Sequence, residues 1–290
     1  MVEVLKTGLF DTIQDLGRFG HQEFGVPVSG VMDAYSATLA NSILANDTQC
    51  AVIESTVSGP QLKFCVDTRI CISGANMNAT LNTNAIKPNM SIDVKAGDVL
   101  SFGQLVYGCR TYIAVLGGFL TKPIMGSRSM YDGVTSNFRL HKGDWLPISD
   151  VLGYRSVEER SNAKSLSSVK INTNHFQTYD IEVFKGPEFV QLDAEQQRFL
   201  FDSEFTISKE SNRMAYQCNE RLDNSLNSII TSLVLPGTVQ LTPSGELIIL
   251  MRDCQITGGY PRVLQLSENS VNMMSQKFLG QKLKFKFSSW

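Results

Sequence analysis

Five short segments of this 290-residue chain gather side chains that can bind a small polar molecule or move a proton. In "TIQDLGRFG", Gln14, Asp15 and Arg18 stand among glycines. A carboxylate and a guanidinium so close either pair with each other or hold the carboxylate and amide of a ligand. "FGVPVSGVMDAYS" sets Ser29, Met32 and Asp33 beside Gly25, Pro27 and Gly30. A helix N-cap accounts for one of Ser29 and Asp33 but leaves the other unexplained. In "SNRMAY", Asn212 both donates and accepts, and Arg213 offers a planar fork for a carboxylate or ureido oxygen. In "DCQITGGYPR", Gly258 and Gly259 permit a close backbone approach, Pro261 restricts Tyr260 to extended backbone, and Arg262 follows. A tight structural turn explains that run as well as a ligand loop does. "GSRSMYDG" adds Arg128 just after an apolar strand. The chemistry on offer is hydrogen bonding, with Asp33 and Asp15 as the carboxylates able to act as a general base.

Other chemistries lack their signatures. No phosphate-binding GxxxxGK[ST] loop, no G-x-G-x-x-G after a strand and no G-x-S-x-G elbow is present. The six cysteines form no CxxC pair and read as reduced thiols; the three histidines are isolated, so no metal site is expected. Net charge is −2 with a pI near 6.0, which argues against nucleic acid or an anionic membrane as partner. The beginning "MVEVLKTGLFDTIQD" meets acidic residues before any apolar stretch, unlike a signal peptide, and apolar runs such as "ELIILM" are too short to span a bilayer. A soluble cytoplasmic protein is expected.

The elements that must position these loops are mostly strands. "QLKFCV", "RICIS", "SIDV", "RTYIAVLGG", "DIEVFKG", "EFTIS", "TVQLTP", "ELIILMRD" and "KLKFKF" are strand-length, several alternate apolar with polar residues, and turn residues separate them. Two helices stand out. "MDAYSATLANSILAN" has Ser29 or Asp33 as N-cap, and "FVQLDAEQQRFLFDS" offers Leu192, Phe199 and Leu200 to one face. The pattern predicts an all-β protein with few helices, barrel-like rather than βαβ. Residues 152–176 lose apolar periodicity and read as a linker between domains at 1–151 and 177–290. The two parts echo each other weakly. "SGVMDAYS" and "SNRMAYQC" are each followed by a Gly/Pro turn, two strands and a further glycine, the mark either of a duplicated barrel unit or of coincidence.

Together "GLFDTIQDLGRFGHQEFGVPVSGVMDAYSATLAN", "GSRSMY", "SNRMAY" and "PGTVQLTPSGELIILMRDCQITGGYPR" resemble the biotin-dependent carboxyltransferase family. That family groups the 5-oxoprolinase C subunit (also described as the KipI antagonist), allophanate hydrolase subunit 2 and the carboxyltransferase region of urea carboxylase. The likeness runs from about residue 5 to residue 287, and five ordered motifs make it specific. It implies two cyclophilin-like β-barrel domains. Its stand-alone members pair with a B subunit, resembling KipI, and together with an A subunit they use ATP to open 5-oxo-L-proline to L-glutamate. The urea carboxylase relatives bind biotin and pass its carboxyl group to urea. A third activity the family implies is antagonism, by binding a kinase-inhibitor protein. Both substrates are small planar amides, suited to Arg, Asn and backbone donors rather than to a nucleophile.

Under this resemblance Arg213 holds a carboxylate or carbonyl, and Asn212 and Tyr260 orient a ring amide. Gly258, Gly259, Arg262, Gln14, Arg18, Ser29, Met32 and Arg128 complete the expected substrate-binding set, with no metal and no tightly bound cofactor. The sequence departs from the family at Ala215, where glycine is usual, and at Cys254 and Ile256, where arginine and threonine are usual. It also lacks the Met-Lys-Met segment that carries biotin, so this chain is expected to bind biotin but not to carry it.

Overall fold

The computed structural model describes residues 1–149 and 174–288. The chain divides into two compact units: Met1–Arg18 with Asp33–Thr173, and Phe19–Met32 with Asn174–Trp290. The expected boundary at 151 therefore needs one correction, because Phe19–Met32 joins the second unit although it precedes most of the first. The linker expected at 152–176 lies outside the described residues except for its end, which opens a short helix at Asn174–Gln177.

In the first unit the strands are β1 (Val2–Lys6), β2 (Phe10–Gln14), β3 (Val52–Thr56), β4 (Gln61–Phe64), β5 (Thr68–Asn76), β6 (Thr80–Leu81), β7 (Asn84–Ala85), β8 (Ile92–Val94), β9 (Val99–Ser101), β10 (Tyr107–Val115) and β11 (Trp145–Leu146). They form two antiparallel sheets, ordered β11-β1-β4-β9-β6-β7 and β2-β3-β10-β5-β8. Val2, Val4, Leu62, Phe64, Ile70, Leu100, Ile113 and Val115 fill one core between them. Alternation explains the choice: in β4, Leu62 and Phe64 are buried while Lys63 is exposed. Helix α1 (Ala34–Ile43) packs on β5 and β10. Its N-cap is Asp33, whose side chain accepts from the Ser36 amide.

The second unit contains α2 (Asn174–Gln177), β12 (Asp180–Lys185), α3 (Ala194–Asp202), β13 (Phe205–Thr206), β14 (Ala215–Arg221), β15 (Ser232–Leu233), β16 (Thr238–Leu241), β17 (Glu246–Leu250), β18 (Thr257–Gly258), β19 (Arg262–Leu266), α4 (Glu268–Met274) and β20 (Lys282–Phe287). Seven strands lie in the order β13-β20-β12-β19-β16-β17-β14. The two outermost strands then meet, through a bridge at Ile207 and Cys218 and a 2.8 Å bond from Ser208 N to Gln217 O. This closes the sheet into a barrel and leaves no long open edge.

Period-two patterning again decides what faces inward. Leu283 and Phe285 of "KLKFKF", Ile181 and Val183 of β12, and Leu247 and Ile249 of β17 all belong to the barrel core. Each such side chain contributes about 1.5–3 kcal/mol by leaving water. The opposite face of β17 is also covered. Ile248 and Leu250 pack with Val234, Cys254 and Ala215 in a small second cluster outside the barrel. The ribbon β15–β18, paired only at Ser232–Gly258 and Leu233–Thr257, belongs to this outer layer. Among the described residues no helix is long and apolar enough to cross a membrane.

Candidate functional site

The expected residues fall into clusters, one in the first unit and two in the second. In the first unit, Asp15 ties the "IQDLG" turn to the "GSRS" loop. Its Oδ1 accepts from Ser127 Oγ at 2.6 Å, Ser129 Oγ at 2.7 Å and Gly17 N at 2.9 Å, and its Oδ2 accepts from Arg128 N at 2.6 Å. Arg18 is buried and donates to the Ser129 carbonyl. Gln14 donates to Met130 O at 3.1 Å, and the Arg128 guanidinium turns back onto Thr121 O. Asp15 and Arg18 thus converge on one loop, Ser127–Ser129, which local sequence spacing did not reveal. With both oxygens of Asp15 engaged, the geometry describes a loop clasp rather than a free base.

Asp33 is likewise a structural residue. It is fully buried; its carboxylate takes the Ser36 amide at 3.1 Å and the Ser36 hydroxyl at 2.6 Å. Its own amide donates to Tyr112 Oη at 2.8 Å, and Tyr112 donates in turn to Glu54 at 2.9 Å. Burial and the Glu54 and Asp33 carboxylates push the Tyr112 hydroxyl well above its ordinary range. The general-base role expected of Asp33 has no open geometry here, because helix capping engages the carboxylate.

In the second unit, Arg213 joins three chain segments. Its Nε donates to Asp253 Oδ2 at 2.7 Å, and its Nη2 donates to Asp253 Oδ1 at 3.0 Å and to Gly30 O at 2.6 Å. Ser29 Oγ donates to the same Asp253 Oδ1 at 2.6 Å. Ser29 lies upstream of the N-cap, since the helix begins at Ala34 with Asp33 as cap; it sits in the left-handed region at φ 58°, and Gly30 follows at φ 89°. A non-glycine residue held in that conformation is maintained by its surroundings, here the Asp253 bond. Asp253 escaped the sequence reading although it opens the quoted "DCQITGGYPR". Its partners are 40 and 224 residues away in sequence, and no local pattern marks such a pairing. Met32 fills the barrel core. Asn212 is exposed and closes its own turn onto Met214 N at 2.8 Å.

The third cluster surrounds Arg262. Glu188 takes Arg262 in a two-pronged pair, Nε to Oε2 at 3.0 Å and Nη2 to Oε1 at 2.9 Å, and Arg262 Nη1 also reaches Ser232 Oγ at 3.0 Å. Arg262 holds the Glu188 carboxyl below the usual carboxylate range. Gly258 and Gly259 lie in and just after β18, and Tyr260 is exposed beside them. A cavity of about 240 Å³ is walled by Val28, Leu233, Val234, Leu235 and Pro236 and edged by Gln22, Arg252 and Gln255, and none of Gly258, Gly259, Tyr260 and Arg262 lines it. Cys254 and Ile256, two of the departures from the family pattern, line the same wall. Burial pushes the Cys254 thiol up to about 12, so it acts as a small apolar surface and not as a nucleophile. Ala215, the third departure, opens strand β14 in extended backbone that any residue adopts. Among the described residues no group of three or more His, Cys, Asp or Glu side chains is placed to hold a metal ion.

Comparison with known proteins bears on these clusters. A family model, carboxyltransferase domain, subdomain A and B, matches residues 24–287. The 5-oxoprolinase C subunit of Escherichia coli is 30% identical over 291 residues, covering 98% of this chain and 90% of that protein. The urea amidolyase of Lachancea kluyveri is 40% identical over 162 residues, which are 56% of this chain and only 9% of that protein. Among solved structures, the urea carboxylase of Kluyveromyces lactis superposes with a TM-score of 0.84 at 27% identity, over 99% of this chain and 27% of that one.

Proposed function

We propose, from the premise that this chain belongs to the family of the carboxyltransferase domain, subdomain A and B, that it is the C subunit of an ATP-dependent 5-oxoprolinase. The observation that carries this reading is the end-to-end similarity to a stand-alone C subunit, which covers 98% of this chain and 90% of that protein. In this reading the chain works in the cytoplasm with the A and B subunits and is inactive alone. The A or B subunit supplies the ATP chemistry, for which this sequence carries no phosphate loop. The chain contributes amide donors and an apolar wall that hold a small planar lactam, a reading supported by the cavity that Leu233–Pro236 wall and Gln22, Arg252 and Gln255 edge.

Arg213 then acts as a strut for the Ser29–Gly30 turn rather than as the carboxylate clamp expected of it. The test is reconstitution. The chain and its cognate A and B subunits, mixed with ATP and 5-oxo-L-proline, release glutamate and phosphate, and omission of this chain abolishes both. A complete trio that makes no glutamate would sink the reading.

A second reading has its own support, the 40% identity to a urea amidolyase segment. Here the chain is a biotin-dependent carboxyltransferase component acting on urea or a similar amide. An apolar wall edged by Gln255 and Arg252 suits a fused ring with a ureido head, and carboxylated biotin held there would supply the carboxyl group and leave as biotin. Carboxylation of urea with a separate biotin carrier supplied distinguishes the two readings.

A further inference from the structure

We propose that Arg262, held by Glu188, is a positioning residue for the cavity of about 240 Å³: it fixes the wall at residues 233–236 and so sets ligand affinity without touching the ligand. This rests on the reading above that a lactam or ureido ligand occupies that cavity. Arg262 opens β19 and divides its donors between two groups. One is the Glu188 carboxylate, which takes Nε at 3.0 Å, Nη2 at 2.9 Å and the Arg262 amide at 2.9 Å. The other is the start of the wall, where Nη1 donates to Ser232 Oγ at 3.0 Å and to Leu233 O at 3.1 Å. Both side chains are largely sheltered from water. A two-pronged pair holds the planar guanidinium in one orientation, so Glu188 aims Nη1 at the Leu233 carbonyl.

Little else fixes this end of the wall. Val234 is buried on Leu250 and Cys254, but Leu233 and Leu235 are 69% and 66% exposed. They line both this cavity and another of about 400 Å³, and Arg262 lines only the second. So little burial gives Leu233 a weak hydrophobic hold. The ribbon that carries it has two residue pairs, Ser232–Gly258 and Leu233–Thr257, too few to be stable by themselves. The remaining bonds to the wall are between neutral groups: Val234 N to Ile256 O at 3.0 Å, Leu235 N to Thr238 Oγ1 at 3.2 Å, and Gln265 Nε2 to Pro236 O at 2.9 Å. Those from Arg262 are charge-assisted and stronger. The place of Leu233 in the cavity wall therefore depends on Arg262, and the direction of Arg262 depends on Glu188.

The test pairs hydrogen exchange with ligand binding in the full chain, for wild type, Arg262→Met and Glu188→Gln. Exchange at the Val234 amide is expected to rise at least about tenfold in Arg262→Met and less in Glu188→Gln, with the amides of β12 and β20 unchanged. The probes are 5-oxo-L-proline, biotin and 2-imidazolidinone, titrated calorimetrically. For the probe that binds wild type, Kd is expected to rise at least about tenfold in Arg262→Met and by a smaller factor in Glu188→Gln. Should Arg262→Met loosen the whole barrel, Glu188→Gln, which keeps every Arg262 donor, decides by the same two readouts. Unchanged Val234 exchange, faster exchange with unchanged Kd, or no binding of any probe by wild type would overturn the proposal. Glutamate production by the reconstituted trio with the same KM for wild type and Arg262→Met would overturn it too, while leaving the 5-oxoprolinase reading intact. Faster exchange with weakened binding of biotin or 2-imidazolidinone, and no binding of 5-oxo-L-proline, would uphold it while removing that reading.

Discussion

Replacing Arg213 by methionine tests whether the second unit is organised as described. The Arg213 side chain is 8% exposed and that of Asp253 13%. The substitution keeps most of the aliphatic stem and deletes three donors' worth of contacts: two to Asp253 and one to Gly30 O at 2.6 Å. Asp253 is left with the Ser29 hydroxyl as its remaining side-chain donor in this cluster. Breaking a largely buried pair by removing one partner costs about 3–5 kcal/mol, most of it for the carboxylate left behind. In a chain of this size each kcal/mol lowers Tm by about 2–4 °C, so calorimetry should record a fall of about 6–20 °C. The double variant Arg213→Met/Asp253→Leu removes both charges and should recover most of that loss. A fall below about 2 °C in the single variant, or losses that simply add in the double variant, would refute the strut. If Arg213 were instead the ligand clamp, reconstituted activity would collapse while Tm stayed put.

Three further perturbations follow from the same geometry. Ser29→Gly loses the bond to Asp253 but regains about 1 kcal/mol of left-handed backbone cost, so it should unfold at a higher temperature than Ser29→Ala. Equal Tm values for the two would show that the φ of 58° carries no cost. Glu188 titrates below its ordinary value of 4.5 in the folded protein because Arg262 holds it. A depressed carboxyl contributes stability that is complete above the unfolded value and is lost as pH falls through the folded one, so Arg262→Met should flatten the acid limb of stability below about pH 4.5. Urea midpoints measured across that range check the slope, and an unchanged limb would disconnect the pair from acid stability. Cys71 and Cys254 are pushed up to about 12 by burial, and Cys218 is pushed up for the same reason. All three should resist Ellman's reagent until denaturant is added, and fast native labelling of Cys254 would contradict its place in the cavity wall.

The strands were legible because their patterning is local. "DIEVFKG", "ELIILMRD" and "KLKFKF" contain β12, β17 and β20, and alternation names the residues that enter the core. The helix in "MDAYSATLANSILAN" was legible too, though of its two possible caps only Asp33 serves, because the helix begins at Ala34 and Ser29 lies too far upstream. The second helix begins later than "FVQLDAEQQRFLFDS" suggests: Phe189–Gln191 forms a separate 3-10 turn, and Asp193 and Gln196 cap Ala194–Asp202 reciprocally. The supposed echo misleads at its first step. Ala34–Tyr35 opens a helix, whereas Ala215–Tyr216 opens a strand. For the candidate residues, the sequence marked the loops that carry them but not the partners that the structure gives them. Asp253, Glu188, Ser127 and Ser129 are chosen by tertiary pairing across tens to hundreds of residues, and that leaves no periodic trace.

The membership of Phe19–Met32 in the second unit bears on the order in which the protein can mature. Synthesis from the N-terminus brings this segment out of the ribosome before any strand of the second barrel exists. Met32 must therefore wait for Leu200, Val239 and Phe285 before it can be buried, and Ser29 must wait for Asp253. The second barrel cannot be completed from its own half of the gene. Residues 177–290 produced alone would lack a core side chain and the turn that Arg213 grips, and should recover stability when a peptide spanning 19–32 is added. The first half is thus the earlier to finish, while holding out a segment whose place is made last.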